Sequence, residues 1–153
     1  MTKKWIKDQS EIEAILNDGV FGAFATINND GSPYVITVNY VYHNGKIYFH
    51  CALKGKKLDN INHDPRVCFE VHLIDRIVIA EKADEVSVRY RSVIVNGYAK
   101  IIDDTKLKEE ALIALSEKYT KGHDISPPSP ECIQHTGIVE IDIKEITGKC
   151  NID

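Results

Sequence analysis

The residues best suited to chemistry lie close together in residues 34–57, which read YVITVNYVYHNGKIYFHCALKGKK. The stretch ends in Leu53-Lys54-Gly55-Lys56-Lys57, three cations around a glycine. Cations attract a phosphorylated ligand, and a glycine lets backbone N–H groups approach phosphate oxygens closely. A turn carrying solvated lysines has the same composition, so these residues alone leave both possibilities open. His50 and Cys51 stand just upstream, and as neighbours on an extended chain they point to opposite faces. Cys51 has no adjacent base to activate its thiol and suits a small core position. The other cysteines, Cys68, Cys132 and Cys150, form no C-x-x-C pair, and no histidine–cysteine pair has zinc-ligand spacing. No metal site is expected, and four free thiols in a reducing compartment are expected in place of a disulfide framework.

The elements that position these residues can be read outward from them. Residues 34–42 are rich in Val, Ile, Thr and Tyr, types that fit a pleated, largely covered surface. Asn44-Gly45 tolerates the positive φ of a two-residue hairpin turn, and the chain returns as residues 46–51. Upstream, residues 5–17 predict a helix with Ser10 as N-cap and Glu13 at capping-box spacing, ended by Asp18-Gly19. Residues 20–27 (VFGAFATI) form a compact apolar strand, joined to the next by the turn-rich Asn28-Asn29-Asp30-Gly31-Ser32-Pro33.

Downstream, residues 58–63 predict a short helix that Asp64-Pro65 stops. Residues 66–73 alternate as a half-buried strand. Residues 74–88 mix strand-like IVIA with the polar EKADE of an exposed excursion. Residues 89–102 form a long strand in which Gly97 marks a bulge or bend. Asp103-Asp104-Thr105 caps an amphipathic helix over residues 106–121, and Ser126-Pro127-Pro128-Ser129-Pro130 forms an irregular loop. Residues 138–143 (IVEIDI) supply the last strand. The pattern is mainly β, an antiparallel barrel of about six strands with peripheral helices, without the β-α alternation of a parallel sheet.

With 153 residues the chain is expected to form a single domain over residues 1–153. A formal net charge of -4 argues against nucleic acid or an anionic membrane surface as partner. No apolar run reaches the length of a membrane span, and MTKKWIKDQ lacks the apolar core of a signal peptide, so a cytoplasmic address is expected.

The placed motifs make the chain similar to the flavin-binding split-barrel superfamily, the fold of pyridoxamine 5′-phosphate oxidase. The nearest group is the nitroimidazole-resistance (Nim-type) proteins. The resemblance is carried by Phe24-Ala25-Thr26, Asp30-Gly31-Ser32-Pro33-Tyr34-Val35 and Val38-Asn39-Tyr40-Val41-Tyr42. It continues through Ile47-Tyr48-Phe49-His50, Gly55-Lys56-Lys57-Leu58, Pro65-Arg66-Val67-Cys68-Phe69 and Arg91-Ser92-Val93-Ile94-Val95-Asn96-Gly97. Its implied fold is a six-stranded antiparallel split barrel of the FMN-binding type.

The resemblance further implies a homodimer with FMN in clefts between subunits. Gly55-Lys56-Lys57 stands where the oxidase holds the FMN phosphate with Ser-Arg-Lys, which keeps two cations but loses a hydroxyl and a guanidinium fork. Thr37, Val38, Asn39 and Tyr40 correspond to the strand under the flavin ring, with His50, Cys51 and Ala52 at its edge. Arg91-Ser92 replaces the oxidase's Arg-Gln contact, and its C-terminal Trp-and-Arg substrate motif has no counterpart, so pyridoxamine-phosphate oxidation is not expected. His50 matches a histidine of the Nim-type group and is the candidate catalytic residue. It would give a proton or hydrogen bond to a substrate, or else pack under the ring and satisfy a backbone carbonyl. The implied function is an FMN-dependent oxidoreductase that reduces a small molecule such as a nitro-aromatic. The alternative is a non-catalytic or stress-related module that binds flavin, haem or deazaflavin.

Overall fold

The computed structural model describes residues 4–153. One antiparallel sheet curls around a core, with helices at its open ends and along one side. The strands are β1 (Lys4–Ile6), β2 (Phe21–Ile27), β3 (Pro33–Asn39), β4 (Val41–His43), β5 (Lys46–Cys51), β6 (Arg66–Val78), β7 (Ser87–Ile101) and β8 (Gly137–Asn151). Their order is β3-β2-β6-β7-β8-β5-β4, with β1 paired to β8. The helices are α1 (Gln9–Asp18), α2 (Lys56–His63), α3 (Thr105–Tyr119) and α4 (Pro130–His135). This is the mainly β antiparallel barrel with peripheral helices that the residue pattern predicts, in the split form that the resemblance implies. Among the described residues, no helix is long and apolar enough to cross a membrane.

Eight strands form because two segments behave differently from expectation. The segment 34–42 is not one strand. β3 pairs with β2, while β4 pairs with β5 through Val41↔Tyr48 and His43↔Lys46. Tyr40 is the break, so the chain passes from one half of the sheet to the other across a single residue. The second difference lies at the N-terminus, where Trp5 pairs with Lys149 in β1 and α1 begins only at Gln9. The cap is Asp8, not Ser10: the Asp8 carboxylate accepts from the Ser10 N–H at 2.9 Å.

The Asn44-Gly45 turn adopts the positive φ its residues favour, 50° and 75°. At Gly97 the β7–β8 register shifts, and a Cβ there would lie 2.0 Å from the Asp142 carbonyl oxygen. The bulge therefore requires glycine. Residues 74–78 extend β6, and Ile74, Ile77 and Ile79 are exposed along this arm.

Alternation along the strands sends Phe24, Phe49, Phe69, Val71, Val93, Val95 and Ile141 inward, all essentially inaccessible to water. Ile15 and Leu16 of α1 and Leu58 and Ile61 of α2 join this core. A second cluster lies on the outer side of β5, where Tyr48 and Ile138 pack beneath Ala111, Leu112 and Leu115 of α3 and Ile133 of α4.

At the margin of that cluster sits a buried carboxylate. Glu140 accepts from the Tyr48 hydroxyl at 2.8 Å and from the Lys46 ammonium at 3.0 Å, with Lys100 3.6 Å away. Burial alone would raise its pKa, but these donors outweigh burial and hold the carboxyl below its ordinary value. A depressed folded pKa gives stability that is present above the unfolded value and lost as pH falls through the folded one. Glu140→Gln should cost about 2 kcal/mol at neutral pH. Urea denaturation should show the two proteins converging at acid pH; a constant gap would contradict the ion-pair role.

Candidate functional site

β5 carries Ile47 and Phe49 into the core, which turns Tyr48 and His50 to the other face. Tyr48 is covered by α3, whereas His50, two residues on, emerges exposed. Cys51 is half-buried on the inner side; burial raises its pKa, and only the Lys57 charge opposes this. That thiol is poorly suited to be a nucleophile. Ala52 is exposed and leads to Gly55, whose φ of 154° and ψ of 167° are rarely open to residues with a side chain.

Gly55 is the N-cap of α2, which makes Lys56 and Lys57 the first helical residues, not part of a loop. No side chain caps this end. Its first-turn N–H groups, the positive end of the helix dipole and two lysines therefore coincide, a favourable setting for an anion. The two lysines diverge. Lys56 reaches over the Tyr34 ring, 4.6 Å from its centroid, beside a polar hollow of about 420 Å³ that Asp30 and Asp59 also line. Lys57 is half-buried on the side of Cys51, where its charge acts on the thiol.

β3 presents Thr37 and Asn39 outward and exposed, with Val38 half-buried on the opposite face. Tyr40, which the resemblance places among the cofactor-binding residues on the strand under the flavin ring, has its side chain fully buried and turned from that face, with its hydroxyl donating to the Leu16 carbonyl at 2.6 Å and its ring edge-on to Phe69. Only the backbone of Tyr40 is available to neighbours on the outer side, and Tyr119 of α3 takes it up. The Tyr119 hydroxyl accepts from the Tyr40 N–H at 3.0 Å and donates to the Val20 carbonyl at 2.6 Å, with the Tyr40 carbonyl also 3.0 Å away.

Asn39 and His50 are brought together in a cavity of about 410 Å³ under α3 and α4. One face of α3 supplies Leu112, Leu115, Ser116 and Tyr119, spaced as i, i+3, i+4 and i+7. Cys132 of α4 and Thr136, the residue just past its end, close it. The contribution of α4 is missing from the sequence reading. Ser129 at the N-cap, Pro130 in the first turn and Glu131 behind it are a helix start that could have been recognised, and Ser129 does accept from the Cys132 N–H at 3.1 Å.

Arg91 and Ser92 stand apart from this group. Arg91 points inward beneath α1, bonded to Asp75 at 2.8 Å, while Ser92 faces outward near the Lys149 carbonyl. The α2 end of β7 lies at Tyr98–Ala99, seven residues further on and roughly 23 Å away at strand rise. One chain does not bring Arg91 and Lys57 to a common point. Among the described residues, no three His, Cys, Asp or Glu side chains gather as metal ligands would.

The family model described as pyridoxamine 5′-phosphate oxidase matches residues 8–150. No curated protein matches the sequence. Among solved structures, a Bacteroides thetaiotaomicron protein ascribed to 5-nitroimidazole antibiotic resistance is 25% identical with a TM-score of 0.86, covering 97% of this chain and 87% of that one. A flavocytochrome of Azotobacter vinelandii is also 25% identical, with a TM-score of 0.84 and coverage of 97% and 70%. An FAD- and haem-binding protein of Mycobacterium smegmatis, 18% identical, shares the fold with a TM-score of 0.87 over 98% of this chain and 74% of that one.

Beside the site, the Lys118 ammonium lies 3.6 Å over the Tyr40 ring, buried and without a hydrogen-bond partner among the described residues. Burial lowers its pKa to about 8, partly opposed by Asp18. Between that value and an unfolded value near 10.4, the unfolded chain binds the extra proton, so stability rises with pH across this window. Relative to Lys118→Met, the native chain should gain in urea midpoint between pH 7.5 and pH 9.5. Parallel behaviour of the two proteins would place the titration elsewhere.

Proposed function

The chain belongs to the pyridoxamine 5′-phosphate oxidase family, and from that premise we propose that it is an FMN-binding flavoprotein that passes electrons to a small organic substrate beside His50. One observation carries this reading: the uncapped, doubly basic start of α2 lies just beyond the strand that exposes His50. Phosphate would be held by the first-turn N–H groups of α2 and by Lys57, with Lys56 weaker because Asp30 and Asp59 share its surroundings. The outward face of β3 at Thr37 and Asn39 would support the ring, with Val38 and the Tyr40 backbone fixing the strand beneath it.

A flavin in this position supplies one- and two-electron chemistry. The residues of the chain hold it, shape the space beside it and manage protons. His50 is exposed and can donate to a substrate heteroatom that gains electron density, which is general-acid work. Cys51 and Ala52 would pack at the ring's edge.

A homodimer completes this reading. Phe21 and Val35 are more than half exposed on the outer face of β2 and β3, and Arg91 and Lys57 lie at opposite ends of one chain. A flavin touched by both requires two subunits, with Arg91 and Ser92 arriving from the second.

The purified protein should show oxidised-flavin absorbance or acquire it on addition of FMN, and light scattering should return the mass of a dimer. A colourless monomer that takes up no FMN would overturn the proposal. Lys57→Ala should weaken FMN binding at least tenfold by fluorescence titration and Lys56→Ala several-fold less; equal, small effects would remove the phosphate from α2. His50→Ala should retain flavin yet reoxidise more slowly with a nitro-aromatic acceptor in stopped flow. Unchanged rates would take His50 out of the chemistry.

A further inference from the structure

We infer that a second hollow, at the start of α3 and walled by the proline segment that leads into α4, binds a zwitterionic amino acid with an apolar side chain. The hollow has a volume of about 720 Å³ and shares no lining residue with the cavity beside His50. It therefore stands apart from the flavin site and does not depend on that reading.

Its distinguishing residue is Lys108, which lines the hollow with only 8% of its surface exposed. A lysine is almost never covered to this extent unless an anion is beside it. Among the described residues the Lys108 ammonium has neither an ion pair nor a hydrogen bond. Asp104, one turn earlier, is committed to its own helix, where its carboxylate accepts from the Leu107 N–H at 2.8 Å. A ligand in the hollow thus meets a cation that is already stripped of much of its water and still lacks a counter-ion.

The remaining walls decide which anion fits. Asp103 and Glu109 also line the hollow, so a simple anion drawn to Lys108 meets two like charges, and a simple amine drawn to the carboxylates meets Lys108. A molecule with a carboxylate and an ammonium on one carbon satisfies both signs at once. Pro127, Pro128, Pro130 and Ile133 form the apolar side. Proline rings fix φ, and the Ser129 cap on the Cys132 N–H holds this wall in shape before a ligand arrives. An apolar side chain lies against it and gains from leaving water. The volume is ample for such a molecule and within the range of small-molecule sites.

The test titrates the full-length chain, as purified, with three compounds that share a phenyl body. These are L-phenylalanine, phenylpropionate, which lacks the ammonium, and phenethylamine, which lacks the carboxylate. Calorimetry should show saturable binding of L-phenylalanine and binding of each analogue roughly tenfold weaker or more. Amide NMR shifts should centre on Thr105, Lys108 and Gln134. Lys108→Met keeps the stem and removes the charge; it should weaken L-phenylalanine by about tenfold or more and leave phenethylamine no weaker. Glu109→Gln is the independent second variant should the first not fold, and it should weaken L-phenylalanine while leaving phenylpropionate no weaker.

No saturable binding of L-phenylalanine, an analogue that binds as tightly, shifts centred elsewhere, or full affinity in a folded variant would each overturn the assignment. Uptake of FMN enters none of these outcomes, so the flavin reading and this one stand or fall separately.

Discussion

At Tyr40 a polypeptide must leave one half of a split sheet and enter the other, and there its backbone has no strand partner. The Tyr119 hydroxyl satisfies that backbone from the side, while the Tyr40 ring sinks into the core and its own hydroxyl reaches Leu16. A buried backbone group left without such a partner would cost about 1–3 kcal/mol, so the crossing is viable because α3 ends where it does. The same contact pulls the last turn of α3 against β3 and β4, which fixes the roof over His50. A constraint on one peptide unit thus sets the dimensions of the cavity.

Around that point the chain divides its labour by face and by end. Inward side chains of the strands make a core that α1 and α2 close at opposite ends. Outward side chains of β5 either disappear under α3, as Tyr48 does, or remain available, as His50 does. The start of α2 adds the positive end of a helix dipole to two lysines that diverge from it, Lys56 toward Tyr34 and Lys57 toward Cys51. The α3–α4 cavity a short way along the chain is lined without formal charge.

Much of this was legible in the residues, for identifiable reasons. Period-two alternation in residues 66–73 and turn chemistry at Asn44-Gly45 report local geometry, and both appear in the structure. The bulge at Gly97 was readable because only glycine tolerates the Asp142 carbonyl so close. The split at Tyr40 was hard to read: apart from Asn39, residues 34–42 are β-favouring, and the break comes from long-range partners, Tyr119 and Leu16, distant in sequence. Lys56 and Lys57 read as a loop because a glycine N-cap without a side-chain acceptor gives little local signal. Ser129-Pro130 gave a clear one, obscured by the prolines before it.

The split also has a mechanical side. The two unpaired margins of the sheet, β3 and β4, are consecutive in the chain and tethered by a single residue. They cannot drift apart where they meet, so any opening of the barrel wall must be wedge-shaped, widest toward the Pro33 end of β3 and vanishing at Tyr40. Amide exchange along the free margin of β3 would then slow residue by residue toward the tether, and a bulky guest could enter the wall from only one direction.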